Sequence, residues 1–395
     1  MTTLTVRRDR VGPIFARHPW IFAGAFTDVP EGLETGAPVR VAGPDGRFLA
    51  AGYFNGYSQI AVRVWSWEPD EVVDDEFFRK RIERALGWRE RLLAGTGTNA
   101  YRLIFGENDL IPGLVVDRYA GHLCVQCHTR GIEAWRDTIV RALVEVVHPV
   151  GIYERSDVKV RAIEGAAPRS GLLYGDVPPV VEILENNLRF GVDVVGGQKT
   201  GFFLDQRDKR AALQRHARDR RVLNCFSYTG GFSVYAGAAG ASQVTSVDVS
   251  ARALELAAEN VRRNGLDPAR FSFECMDVKD YLARLGHEGG TPFDVIVLDP
   301  PAFVKDRRKL AEGLAGYRRI NEAALRLLPS GGLLLTCSCS GHVSLADFRH
   351  LVAESAARAG RTVQVLESFG HGVDHPELVA YHEGSYLKCL FCSVW

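Results

Sequence analysis

Residues 221–250, RVLNCFSYTGGFSVYAGAAGASQVTSVDVS, constrain the fold more than any other stretch of the chain. The apolar run Val222 to Phe226 reads as a buried strand, and Ser227-Tyr228-Thr229-Gly230-Gly231 as a tight turn. Small residues from Phe232 onward then read as a helix, and Gln243 to Val247 as a second strand ending on Asp248. Strand, glycine turn, helix, strand and acid form a nucleotide-binding βαβ unit of a doubly wound, Rossmann-like α/β fold. Glycine lets backbone N–H groups approach a ligand closely. An acid after the second strand can accept both ribose hydroxyls. Dinucleotide binders use G-x-G-x-x-G to seat a pyrophosphate on the helix N-terminus. Here Gly230 and Gly231 are adjacent and no third glycine falls at that offset. An adenosine ligand without phosphate, S-adenosylmethionine, fits better, with Tyr228, Gly230, Asp248 and Ser250 as candidate contacts.

The pattern repeats downstream. Ser250 can also cap a helix over Ala251 to Asn264, which Gly265 ends. A third strand, Phe271 to Cys275, leads to Asp277, placed to reach the adenine amino group because ligands sit at the C-terminal ends of such strands. Asp277 can equally cap the helix Val278 to Leu285. A fourth strand, Phe293 to Leu298, runs into Asp299-Pro300-Pro301-Ala302-Phe303, where two prolines stiffen the loop. Asp299 and Phe303 suit holding a planar base by its edge and face. Helices are expected over Lys309 to Leu328 and Leu345 to Ala359, with a closing hairpin of Thr362 to Phe369 and Ser385 to Trp395. In its loop nothing distinguishes His371, His375, Tyr381 and His382 from solvated residues.

The fifth strand, Gly332 to Thr336, ends in Cys337-Ser338-Cys339-Ser340-Gly341. Pyrimidine C5 is a poor nucleophile, and adding a thiolate at C6 is what activates it; methylating an exocyclic amine or a ring nitrogen needs no thiol. A cysteine across from the Asp-Pro-Pro loop is therefore what C5 chemistry requires. A buried structural thiol is the competing role.

Ahead of this half, residues 1–75 read as a small β-barrel with strands at Pro38 to Ala42, Arg47 to Tyr53 and Ile60 to Trp67. Arg17-His18-Pro19-Trp20 precedes them, either as a hydrophobic anchor or as an RNA contact through Arg17 and His18. Residues 76–185 read as a small α+β domain in which Asp117 and Glu154 take turn and surface positions. Residues 186–395 form the nucleotide-binding domain, entered through a hairpin over 187–203 that turns at Gly196-Gly197. Asp205 can cap the following helix, Asp208 to Ala217, and the basic cluster on and around it, Arg207, Lys209, Arg210, Arg215, Arg218, Arg220 and Arg221, reads as a solvated face more readily than as phosphate contacts.

Lys+Arg and Asp+Glu are equal at 48 each, so net charge carries no nucleic-acid signal. The eight cysteines read as thiols. In strand-like text the pairs Cys124/Cys127 and Cys389/Cys392 point to opposite faces, so no metal site is expected. No run reaches membrane-spanning length and no leader is visible, which favours the cytoplasm.

At this point the chain resembles a family, on GQKTGFFLDQRDKR (Gly197 to Arg210), VLNCFSYTGGFSV (Val222 to Val234), FDVIVLDPPAFV (Phe293 to Val304), LLLTCSCSG (Leu333 to Gly341) and DHPELVAYHEGSYLK (Asp374 to Lys388). RHPWIF (Arg17 to Phe22) and GENDLIPGLVVDRY (Gly106 to Tyr119) extend the likeness over nearly the whole chain. The family is the bacterial 23S ribosomal RNA cytosine-C5 methyltransferases with an N-terminal PUA domain. The resemblance implies a PUA barrel, a central EEHEE-type α+β domain and a class I methyltransferase domain. It implies S-adenosylmethionine as cofactor, ribosomal RNA as partner, Cys339 as nucleophile with Cys337 in reserve, and Asp299 as the group that orients the base or handles protons. Phe303 or Tyr228 would stack on the base, and Asp205 and Arg207 would close over the methionine end of the cofactor. It admits a homodimer and gives no membrane role. The same fold acting on a base nitrogen or on uracil C5, or an RNA-binding module without activity, are the alternatives.

Overall fold

The computed structural model describes residues 1–395, which divide into two compact units. The first comprises residues 1–186, 192–204 and 373–384; the second comprises 187–191, 205–372 and 385–395.

The first unit holds two five-stranded sheets. One runs in the order Thr2–Thr5, Pro38–Ala42, Phe48–Phe54, Ile60–Ser66, Trp20–Phe22, with only the first pair parallel. The other runs Ala100–Phe105, Leu114–Tyr119, His122–Cys127, Gly151–Ser156, Arg169–Gly175. The helices Asp75–Leu93 and Arg136–Val147 bury Phe78, Ile82 and Leu143 in the same core as strand residues Leu103 and Val116. Asp74 starts the first of these helices by accepting the Phe77 N–H at 2.9 Å.

Buried charge organises this unit. Arg63 of the first sheet donates to Glu107 at 2.9 Å and to Glu164 at 2.8 Å, and the Trp20 indole N–H donates to Glu107 at 2.7 Å. Arg89 grips Asp109 with two bonds of 2.7 and 2.6 Å and also donates to the Asp374 carbonyl at 3.0 Å. Asp117 and Glu154 are not surface residues: they are 0% and 2% exposed. They sit on strands, where alternate positions point inward. Asp117 is tolerated there because Arg102 donates to it at 2.7 and 2.9 Å and the Thr200 hydroxyl at 2.5 Å. Glu154 lies 3.7 Å from Arg136.

The expected hairpin around Gly196-Gly197 does not form. Instead Val180–Glu185 turns through Asn186 and Asn187, at φ of +50° and +65°, into Leu188–Asp193 as a two-stranded sheet. Asparagine tolerates the left-handed region, and a turn with two such residues matches strand twist. Residues 194–197 are a loop held by the Gly196 N–H on Asp193 at 2.6 Å and by Arg155 on the Val194 and Gly197 carbonyls, each at 3.0 Å.

The second unit is one seven-stranded sheet. Its strands are β1 (Arg221–Cys225), β2 (Gln243–Asp248), β3 (Phe271–Cys275), β4 (Val295–Leu298), β5 (Gly332–Ser338), β6 (Val363–Phe369) and β7 (Lys388–Val394). The helices are α1 (Arg207–Gln214), α2 (Gly231–Ala238), α3 (Ala251–Arg263), α4 (Val278–Glu288), α5 (Leu310–Leu327) and α6 (Leu345–Ala359). The spatial order is β3-β2-β1-β4-β5-β7-β6, all parallel except β7. Strand order reverses between β1 and β4, so a crevice opens at their C-terminal ends. Apolar clusters cover both faces, one including Leu223, Ile296 and Tyr317, the other Val222, Val297 and Leu335. Cys389 and Cys392 lie within β7. No helix is long and apolar enough to cross a membrane.

Helix α1 departs from expectation. Arg207, Lys209 and Arg210 are buried at 2%, 0% and 2% exposure; only Arg215 and Arg218, beyond its end, face solvent. Asp205 does not cap it: Gln206 is the N-cap residue, without a side-chain capping bond. A charged helix can be internal when carbonyls and carboxylates receive its donors, as the Asp205 carbonyl receives Lys209 at 2.5 Å.

The ion pair on Asp109 makes a direct prediction. Arg89→Met should lower unfolding stability by about 3–5 kcal/mol in denaturant titration, because it strands a buried carboxylate. A loss below about 1 kcal/mol would contradict this account.

Candidate active site

Backbone strain concentrates in the turn after β1. Phe226, Tyr228 and Gly230 have φ of +59°, +46° and +77°. Two non-glycine residues in the left-handed region cost about 1–3 kcal/mol each and persist only where surroundings over-determine them. Here the Ser227 N–H donates to the Val247 carbonyl at 3.0 Å and the Tyr228 N–H to the Asp248 carboxylate at 2.9 Å. A Cβ on Gly230 would stand 2.8 Å from the Cβ of Ala257, so glycine also lets α3 pack on the turn. Asp248 accepts a second backbone bond, from the Ser250 N–H at 2.9 Å. One donor on each carboxylate oxygen fixes its plane while lone pairs remain at the end of β2.

The same turn holds buried oxygens with no partner in the protein: Ser227 Oγ, Thr229 Oγ1 and, at the end of β1, Asn224 Oδ1. Orphaned buried polar atoms are rare, and each costs about 1–3 kcal/mol. Their clustering here fits a polar, nucleoside-like ligand. Ser250 and Asp277 are partly engaged as caps. Ser250 accepts the Ala253 N–H at 3.3 Å, and exposed Asp277 accepts the Lys279 N–H at 2.8 Å. Asp205 and Arg207 are buried just before β1, and the Tyr386 hydroxyl donates to Asp205 at 2.5 Å.

Opposite the turn, the loops after β4 and β5 meet. Asp299 accepts the side-chain N–H of buried Gln206 at 2.7 Å. Cys339 is half-buried, with its Sγ 3.8 Å from the Pro300 carbonyl oxygen. Cys337 is fully enclosed; burial pushes its thiol well above the ordinary range, and neighbouring Cys389 on β7 adds to that. Of these two thiols, Cys337 within β5 and Cys339 just past it, only Cys339 is partly exposed. Ser340 pins the loop: its hydroxyl oxygen accepts the Val304 N–H at 3.1 Å and meets the Tyr317 hydroxyl at 2.9 Å. The Ser340 carbonyl accepts Lys388 Nζ at 2.6 Å, and the Tyr386 carbonyl accepts the same ammonium at 2.8 Å.

Phe303 is half-buried, its ring 4.7 Å from Tyr317 and 6.4 Å from Phe226. Past it lies a cleft of about 490 Å³ lined by Pro301, Phe303, Lys279, Lys305, Lys309 and Arg319, with Asp306 and Glu312 as its acids.

Arg17 and His18 belong to the first unit. Arg17, at φ +65°, pairs with Glu68 at 3.2 Å and lies over Trp67. His18 accepts the Trp20 N–H at 3.1 Å and stands 3.3 Å from Glu383. Of the four tail residues that the sequence left equal, His382 is exposed and the other three find structural places. His371 accepts the Leu387 N–H at 3.2 Å, His375 lies 3.2 Å from Asp374, and Tyr381 packs edge-on against Trp20. Gln206, Tyr386 and Lys388 are the site residues that sequence reasoning missed. The one available signal was a lysine opening the otherwise apolar strand KCLFCSV.

Comparison with known proteins agrees with this geometry. A family model of S-adenosylmethionine-dependent methyltransferases matches residues 166–391, and a PUA-like domain model matches residues 4–67. A ribosomal RNA large subunit methyltransferase I from Tolumonas auensis is 46% identical over 391 residues, 98% of each chain. The protein of that name from an Enterobacter species is 42% identical over 99% of each chain. A Streptococcus mutans structure assigned as a SAM-dependent methyltransferase superposes over 100% of both chains at a TM-score of 0.85 and 25% identity. A methyltransferase structure solved with SAH does so at a TM-score of 0.87 and 25% identity.

The packing of the β4 loop is testable. A Cβ on Gly313 of α5 would lie 2.3 Å from Val304 Cγ2 and 2.9 Å from the Phe303 carbonyl oxygen. Gly313→Ala should push the Pro301–Val304 segment outward, lower stability by about 1–3 kcal/mol in thermal unfolding, and reduce transferase turnover. Unchanged stability and turnover would show that the loop does not rest on this helix.

Proposed function

This chain belongs to the ribosomal RNA large subunit methyltransferase I family, and from that premise we propose that it methylates C5 of a cytosine in 23S ribosomal RNA through a covalent bond from Cys339 to C6. It is an S-adenosylmethionine-dependent ribosomal RNA methyltransferase. The observation that supports the C5 reading is the half-buried Cys339 thiol, 3.8 Å from the Pro300 carbonyl of the Asp-Pro-Pro loop.

When bound, S-adenosylmethionine supplies the methyl group. Asp248, Tyr228, Gly230, Ser250 and Asp277 would hold its adenosine, and Asp205 and Arg207 its methionine end. The protein's own part is to activate the base. The Cys339 thiolate gives its electron pair to C6, the C5–C6 double bond opens, and electron density moves to C5. Once C5 carries the methyl group, loss of its remaining proton restores the double bond and expels the thiolate. The Asp-Pro-Pro-Ala-Phe segment carries no cysteine of its own, so one thiol, Cys339, performs both addition and release. Asp299, oriented by Gln206, takes the edge of the base or its departing proton, while Phe303 or Tyr228 covers a face. The RNA backbone follows the cleft carrying Lys279, Lys305, Lys309 and Arg319. In the first unit, Arg17 keeps a side chain 55% exposed for a phosphate, whereas His18, at 17%, steadies the Trp20 turn.

Cys339→Ala should bind S-adenosylmethionine with unchanged affinity in calorimetry, yet leave no 5-methylcytidine in nuclease-digested RNA analysed by mass spectrometry. Cys337→Ala should remain active. Methylation by Cys339→Ala would remove the covalent route. Replacing Lys305 and Lys309 together by glutamate should weaken RNA binding and reduce its salt slope by roughly 2, without altering cofactor affinity. An unchanged slope would place the RNA elsewhere.

A further inference from the structure

Lys388 is a basic side chain built into the thiol loop. It opens β7 directly opposite Ser338 of β5, one residue before Cys339. It is 6% exposed, and its Nζ donates to the carbonyls of Ser340 at 2.6 Å and Tyr386 at 2.8 Å. An ammonium held inside the protein on two carbonyls has given up most of its hydration, so it needs a compensating negative charge. Its two hydrogen-bond acceptors are neutral. We propose that Lys388 holds Cys339 as a thiolate, acting as a positioning residue that supplies positive charge beside the nucleophile. This rests on reading Cys339 as the nucleophile.

The surrounding charges agree. Burial pulls the Lys388 ammonium down, Cys339 first and Asp347 second offset part of that, and the net position is about 8. Such an interaction is mutual: what a thiolate does to stabilise an ammonium, the ammonium returns to the thiolate. At neutral pH most of the lysine remains charged. Tyr317, from α5, is a buried phenol whose ionisation burial opposes. Asp347, from α6, is negative and acts on Lys388. Asp299 at the end of β4 and Lys209 of α1 act on buried Cys337. A thiol pKa lowered by a neighbouring lysine is how reactive cysteines are made nucleophilic near pH 7.

The test is the pH dependence of iodoacetamide alkylation in the full-length protein, read thiol by thiol by mass spectrometry. Cys275, an exposed thiol, serves as the internal reference. In the wild type the midpoint for Cys339 should lie below that for Cys275. Lys388→Gln, which keeps a donor and loses the charge, should raise the Cys339 midpoint by about one pH unit or more, with roughly tenfold slower alkylation at pH 7. Lys388→Arg should stay near the wild type. A Cys339 midpoint equal in wild type and Lys388→Gln would overturn the proposal. If Lys388→Gln fails to fold, a wild-type midpoint at or above that of Cys275 would do the same. The two readings fail separately. A displaced midpoint beside a methylating Cys339→Ala removes the nucleophile but keeps the lysine–thiol coupling; an unmoved midpoint beside an inactive Cys339→Ala removes only the role of Lys388.

Discussion

Ser340 is the knot on which the second unit's chemistry depends. Its hydroxyl joins the Val304 N–H and the Tyr317 hydroxyl, and its carbonyl receives the Lys388 ammonium. The β4 loop, α5 and β7 are thereby tied to the end of β5 through one fully buried residue. Cys339 precedes it and is carried by that arrangement, half-open, against the Pro300 carbonyl. A nucleophile needs placement within a fraction of an ångström, and a buried, fully bonded neighbour provides it more reliably than a loop can alone.

Strain and buried charge are confined to places where something holds them. The left-handed Phe226 and Tyr228 are stabilised by bonds to Val247 and Asp248, so the turn after β1 keeps its shape before any ligand arrives. The first unit buries Arg63 and Arg89 and half-buries Arg102, each against carboxylates. Replacing one partner of such a pair exposes the full desolvation penalty of the other, so these interactions fix geometry more than they add stability.

Much of this was legible in the sequence where the signal is local. The glycine turn, the acid that closes β2 and the prolines after β4 announce a nucleotide-binding sheet, and β3 and α6 fall on Phe271–Cys275 and Leu345–Ala359 as expected. Residues whose partners are remote were not legible. Asp117 finds Thr200, Asp205 finds Tyr386 and Ser340 finds Lys388 across long stretches of chain. Periodicity cannot see such pairs, so Asp117 and α1 were read as solvated when both are interior. The Asn186-Asn187 turn was a local signal, outweighed by the more familiar Gly196-Gly197 pair.

The central claim is that the sulfur of Cys339 bonds to the base. Large-subunit ribosomal RNA transcribed with 5-fluorocytidine should trap it, because fluorine at C5 leaves no proton to remove and the thiolate cannot depart. With S-adenosylmethionine present, protease and nuclease digestion followed by mass spectrometry should find a methylated fluoropyrimidine nucleotide attached to the peptide containing Cys339. An adduct on Cys337, or none while unmodified RNA is still methylated, would contradict the account.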